Sequence, residues 1–353
     1  MGRHVTLGRT VVVRRSALLV LALVVLAATG CATDQKVMAV ADSVHTGLTP
    51  AVMEDEQLHA YLQDIGVRII QAARALDAEG YGPKSHKSEQ GNEWMFSDKM
   101  KFYLVNSKSL NAFTTGGEHM YIYNELFLNC KTEDELAAVM AHEYAHVFAR
   151  HVNKGMDRQV TQNVSSGVIG VGAGIASFLF GGGLSSSVST GQSAAGVAAG
   201  AGKYLGMGFT RADEDEADKL GLAFYSRAGW DPDHFADFFK HMIAAGYDKT
   251  PAMFSDHPTL ASRVTNTEKR VAKLPPEASQ WPKPPIADTQ QFAALQQRSA
   301  QLAKSLPNDE AVQKAQVMLA AFPSCVARSD QPGQSSARCQ VRSDAINAFY
   351  VPK

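Results

Sequence analysis

The clearest apolar periodicity runs from about Glu54 to Leu76. There Leu58, Tyr61, Leu62, Ile65, Val67, Ile69, Ile70 and Ala73 recur at helical spacing and predict an amphipathic helix. A polar loop, 79–92, follows. The period then shortens to two. Lys101 to Val105 reads as a strand, Asn111 to Phe113 as a turn region, and His119 to Tyr123 as a second strand, with Met120 and Ile122 on one face and Tyr121 and Tyr123 on the other. Thr132 and Glu135 have the spacing of a capping box, and the helix they open carries Leu136, Val139, Met140, Val147 and Phe148. Further helices are predicted from near Thr210 to about Gly229, from Pro232 to Ala245, and over 288–305 and 309–321. A Pro-rich stretch, Pro275 to Pro285, reads as a linker. Residues 32–52 show little pattern and read as a tether.

The N-terminus has the layout of an export signal. Arg3, Arg9, Arg14 and Arg15 precede an apolar run from Ala17 to Ala28, and Ala28, Thr29, Gly30 and Cys31 close it. The small residues suit a signal peptidase, and the Cys31 thiol is the expected site of a diacylglyceryl lipid. The alternative is a plain cleaved signal with an incidental cysteine. The end of this run resembles a bacterial lipobox, and by resemblance to sorted lipoproteins Ala32 favours the outer membrane, facing the periplasm. Removing the four arginines of the lead leaves 30 basic against 35 acidic residues, a net charge of −5. That balance gives no reason to expect nucleic acid. Cys325 and Cys339, 14 apart in a polar segment, are expected to form a disulfide worth roughly 3 kcal/mol in the loop-entropy model. Cys130 reads as a buried thiol. Residues 159–202 carry no charged side chain and are rich in Gly, Ser and Ala. They read as a hairpin of small residues, with a membrane-dipping hairpin as the alternative.

The chemistry lies on the capped helix. His142, Glu143 and His146 form H-E-x-x-H. The i, i+4 spacing sets two imidazoles on one face, where they can grip a single Zn²⁺, and Glu143 beside them is placed to take a proton from a water that zinc has acidified. A catalytic zinc needs a third protein ligand. The helix opening at Thr210 offers Glu214 and Asp218 on one face, with Glu216 turned away from both. Glu214 can therefore ligate, and Asp218 can orient a ligand histidine. Ordinary enrichment of acids at a helix N-terminus is the alternative for both.

These residues resemble a known family, the HtpX and CAAX-prenyl-protease zinc peptidases (metallopeptidase family forty-eight), and especially its periplasmic lipoprotein members. The resemblance covers about 98–270. It is carried by Asn111-Ala112-Phe113 with Gly116-Gly117, by Asp134 to Val139 leading into the zinc motif, and by His151. Arg211 with Glu214-x-Glu216-Ala217-Asp218 and Gly221, then His257-Pro258 and Arg263, complete the series. It implies zinc on His142, His146 and Glu214, with Glu143 as base and Asp218 supporting the metal. It also implies that His257 and Arg263 lie near the cleft as catalytic residues, His257 either stabilising the oxyanion or closing off the metal in a latent form; a turn histidine before proline and a surface or structural ion pair are the alternatives. In the same frame His119 to Tyr123 is expected to be the edge strand beside the active-site helix. Met120, Tyr121 and Ile122 would then pair with an extended substrate, although a plain sheet strand is the alternative. Integral members carry transmembrane helices that this chain lacks outside its signal and 159–202, so prenyl substrates are not implied.

The expected architecture is α+β: a mainly helical zincin-like domain with a small β-sheet. The parts are a signal peptide (1–30), a lipidated tether (31–52), a zinc metallopeptidase domain (53–272, with 159–202 as its hairpin), and a linker with a helical tail (273–353). The expected activity is that of an endopeptidase with one zinc per chain, cleaving misfolded or damaged cell-envelope proteins. One rival is an envelope assembly or chaperone-like lipoprotein whose zinc is structural or latent; a second is another zinc hydrolase, such as a small-substrate peptidase.

Overall fold

The structure, a computed structural model, describes residues 34–83, 92–165, 209–247, 259–274, 276, 278 and 289–322. Cys31, the expected hairpin beyond residue 165, His257, and the Cys325 and Cys339 pair lie outside these residues.

The segment expected to be a tether is helical over 34–48 (α1). Val37, Val40, Ala41, Val44 and Leu48 are all buried, at i, i+3, i+4, i+7 and i+11. The stripe is short and mostly β-branched, which lowers intrinsic helix propensity; packing supplies what propensity does not. The next helix, α2 (Glu56–Ala78), is capped by Asp55, whose carboxylate accepts from the Gln57 and Leu58 amides. Gly66 lets it close on the first strand, since a Cβ there would lie 2.1 Å from the Phe102 ring.

Three strands form the sheet: β1 (Lys101–Val105), β2 (Ala112–Thr114) and β3 (His119–Tyr123), in the order β1-β3-β2. β3 runs parallel to β1 and antiparallel to β2. Two expectations are corrected here. The turn region at Asn111 to Phe113 contributes a strand. The presumed edge strand is the middle one: Met120, Tyr121 and Ile122 are paired on both sides, so they have no free main-chain edge to offer a substrate. β2 holds the edge position and lies against the helix that carries the metal motif.

Both faces of the sheet are covered. Phe102 and Leu104 face α2 with Met120 and Ile122. On the other face Tyr121 bonds to His45 of α1, and Phe113 stacks on Phe322 at 4.0 Å. The short α3 (Asn124–Asn129) leads to α4 (Glu133–Phe148), which is buried along nearly its whole length. Its cap is a variant of the expected box. Thr132 accepts from the Glu135 amide, but the Glu135 carboxylate accepts from the Lys131 amide, one residue further out. The chain turns at Arg150, in the left-handed region (φ 53), and enters α5 (His151–Ser165).

Next comes α6 (Arg211–Arg227), opened by a full capping box between Thr210 and Asp213. It stops at Gly229 (φ 103), where the Gly229 and Trp230 amides bond back to the Ser226 and Tyr225 carbonyls. Then follow a turn at Pro232–His234, α7 (Asp237–Ala244) and α8 (Leu260–Val271). The tail forms α9 (Thr289–Ser305) and α10 (Glu310–Ala321). Both pack on the body: Gln296 donates to the Phe127 and Cys130 carbonyls, and the Tyr123 hydroxyl donates to the Leu319 carbonyl at 2.6 Å. Cys130 is a buried free thiol. No helix among the described residues is long and apolar enough to cross a membrane. The fold is the expected α+β arrangement, mostly helical around a small sheet.

Candidate metal centre

Two helices build the centre, α4 with both histidines and α6 with the carboxylates. They approach closely because Gly221 faces α4. A Cβ at Gly221 would lie 3.1 Å from both the backbone N and Cα of His142.

His142, His146 and Glu214 are all buried, with donor atoms mutually within 4.8 Å. The two Nε2 atoms are 3.1 Å apart, and the Glu214 carboxylate oxygens lie 3.5 Å from His142 Nε2 and 3.9 Å from His146 Nε2. A tetrahedral metal bound at about 2.1 Å separates its ligands by about 3.4 Å. Two imidazoles and one carboxylate at this spacing therefore fit one Zn²⁺, with a fourth position left for water or substrate. Glu143, next to His142 in the same turn, is buried as well.

Each histidine has a partner on its far nitrogen. His142 Nδ1 lies 3.0 Å from Asp218 Oδ1. Asp218 is held in turn by Arg263, whose Nε is 2.9 Å from Oδ2 and whose Nη2 bonds Oδ1. The Arg263 guanidinium is buried, lies 4.0 Å over the Phe239 ring, and approaches His142 Nδ1 to 3.1 Å. Arg263, expected near the cleft, lies against Asp218 and His142. His146 Nδ1 lies 2.9 Å from Nδ1 of His151, the first residue of α5, and His151 Nε2 lies 3.1 Å from Glu216.

Charge in the site follows from these contacts. Burial and Arg263 act to lower the His142 pKa. Hydrogen bonds to Asp218 and Glu214 outweigh them and raise it to about 9. Burial, then the neighbouring His142 charge, pushes His146 well below the usual histidine range. Burial acts to raise Asp218, but Arg263 and His142 bring it below the ordinary carboxylate value.

The structure brings His142, His146, Glu214 and Asp218 together. His151 and Glu216 went unassigned for a geometric reason. Helical periodicity carries no information across the break at Arg150, and Glu216 faces away from Glu214 on α6, toward α5.

The model of Peptidase family M48 matches residues 89–271. A beta-barrel assembly-enhancing protease of Yersinia pestis is 30% identical over 202 residues, which is 56% of this chain and 38% of that one. The protein of the same name in Escherichia coli K12 is 26% identical over 232 residues, 64% of this chain and 41% of that one. The mitochondrial metalloendopeptidase OMA1 of Schizosaccharomyces pombe is 30% identical over 177 residues, 48% and 46% of the two chains. The chain spans about two fifths of the length of these bacterial relatives.

Proposed function

The chain belongs to peptidase family M48, and from that premise we propose that it is a zinc-dependent endopeptidase of the bacterial cell envelope. One observation carries the reading: His142, His146 and Glu214 converge at ligand spacing on a helix that also carries Glu143. Zinc, when bound there, supplies a Lewis acid and lowers the pKa of water. Glu143 takes the proton as water attacks the peptide carbonyl and returns it to the leaving amine. Asp218, backed by Arg263, holds His142 in the orientation the site needs. Main-chain pairing with an extended substrate falls to the outer edge of β2, the strand end of the sheet against α4. Residues 112–117 are buried.

The substrates we propose are misfolded or damaged envelope proteins, outer-membrane β-barrels in assembly among them. The names of the bacterial relatives support that class. We further propose a lipid on Cys31, in the outer membrane and facing the periplasm. The basic lead, the apolar run and the small residues before Cys31 support the anchor. It would leave almost no slack. Asp34, three residues on, accepts from Arg150 Nη2 at 2.9 Å, Asn153 Nδ2 at 2.7 Å and Trp94 Nε1 at 3.3 Å.

The test is digestion of casein by the chain from residue 32 onward, beside Glu143→Gln, with zinc measured in both. Internal cleavage by the wild type, and zinc without cleavage in the variant, are expected. One zinc in each and cleavage in neither would favour a latent or chaperone-like protein. His257→Ala then decides: a rise in activity marks His257 as the group that blocks the site.

A further inference from the structure

The two ligand histidines are supported differently. His142 meets a carboxylate directly. On its Nδ1 side His146 meets one through a second imidazole, in the chain His146 Nδ1, His151 Nδ1 (2.9 Å), His151 Nε2, Glu216 Oε2 (3.1 Å). His151 has no solvent exposure, and Lys154 lies 3.2 Å from the same Glu216 oxygen.

Only one placement of hydrogens satisfies this chain together with a metal. A ligand nitrogen must present a lone pair, so His146 Nε2 is bare and its proton sits on Nδ1. That N–H must donate, and His151 Nδ1 faces it, so His151 Nδ1 is the acceptor. His151 then carries its own proton on Nε2, which donates to the Glu216 carboxylate. Reversing any one bond would place two N–H groups, or two lone pairs, against each other.

We propose that His151 and Glu216 are positioning residues for the metal ligand His146, fixing its tautomer and ring orientation and so setting metal affinity. The proposal rests on the reading that His142, His146 and Glu214 hold zinc. It assigns Glu216, which faces away from Glu214 on α6, a role at the metal from the far side. It also makes α5 part of the centre, because α5 supplies His151 and Lys154 and is tied to α6 again by Arg158 and Asp213 at 2.8 Å.

The experiment is zinc competition against a chromogenic chelator on the full chain, together with the visible spectrum of the cobalt-loaded protein and the thermal midpoint of the metal-free protein. His151→Phe keeps a ring but cannot accept a hydrogen bond. It should weaken zinc binding roughly 10–100-fold and alter the cobalt bands. His151→Asn, whose amide oxygen can sit near the Nδ1 position, should recover part of the loss. Glu216→Ala should weaken binding less than His151→Phe, and Glu216→Gln, which can still accept, less again. Unchanged zinc affinity and cobalt spectrum in both His151→Phe and Glu216→Ala overturn the proposal and leave His151 a packing residue. If His151→Phe does not fold, the two Glu216 variants decide alone. The underlying metal reading fails in a separate way: the wild type would then hold less than one zinc, or His146→Ala would bind as tightly as the wild type, and the proposal would fall with it.

Discussion

Arg263 and Asp218 show how much of the candidate metal centre is held by a buried charge pair. Both are buried, and the guanidinium binds both carboxylate oxygens. Removing one partner of such a pair leaves an uncompensated buried charge and costs about 3–5 kcal/mol. Arg263→Ala is therefore expected to lower unfolding stability by about that amount in urea titrations of the metal-free chain. A direct catalytic role would instead leave stability intact and reduce turnover alone. The same contacts set a proton balance. With His142 raised to about 9 and His146 pushed low, His142 without metal is expected to carry the extra proton of an imidazolium at pH 7. Zinc must displace it, so apparent affinity should rise by about tenfold per pH unit from pH 7 toward 9 and then level off. Competition titrations across that range, with proton release followed in weak buffer, check the sign. A flat profile would mean that His142 is already neutral.

Between α4 and α6 the decisive residue is one without a side chain. An alanine is intrinsically better than glycine inside a helix by about 1 kcal/mol. At Gly221, however, the added Cβ meets His142 backbone atoms at 3.1 Å, and backbone cannot rotate away. Gly221→Ala is expected to part the two helices by a few tenths of an ångström, lowering both the thermal midpoint and zinc affinity. A raised midpoint would show that the contact has room. Helix α1 carries a different sensitivity. Burial, and then the stacked His119, lower the His45 pKa to about 4, with Asp42 opposing. The folded value lies below the unfolded one, so the unfolded chain takes up the proton first. The contribution is whole above about pH 6.5 and drains away as pH falls toward 4. Hydrogen exchange over 34–48, corrected for intrinsic rates, should show protection falling between pH 7 and 5, and His45→Gln should remove that dependence. The helices were legible where the apolar stripe was long or the cap distinct, as in α2, α4 and α6. Helix α1 carried the spacing in a short Val/Ala stripe that reads weakly without its packing partners. Strand order was not legible. Alternation shows which residues share a face, but which strand lies in the middle depends on pairing across the chain, and the edge position went to three residues at Ala112–Thr114.

Helices outside the family match pack against the elements inside it. Residues 89–271 contain the sheet and the metal centre, but α1, α2, α9 and α10 cover them. Phe322 stacks on Phe113 of the edge strand, and Phe292 packs edge-on to Phe127. Each fully buried aromatic is worth about 1.5–3 kcal/mol, so a chain ending after residue 274 should lose several kcal/mol and expose the sheet face. The N-terminal contacts bear on where cleavage happens. Asp34 is held to Arg150, which closes the helix bearing both ligand histidines. Three residues span at most about 10 Å, so a lipid on Cys31 would hold the end of α4 close to the bilayer. Cleavage of a substrate embedded in proteoliposomes should then fall on segments emerging near the lipid surface. A Gly/Ser insert of about 20 residues between Cys31 and Asp34 would add roughly 25 Å of reach. It should spread the cut sites outward, measured by mass spectrometry of the products, without changing casein digestion. An unchanged pattern, with lipid demonstrated on Cys31, would mean that the substrate rather than the anchor chooses the site. Absence of lipid on Cys31 would remove the anchor itself and leave Asp34 as a clamp that steadies the end of the active-site helix.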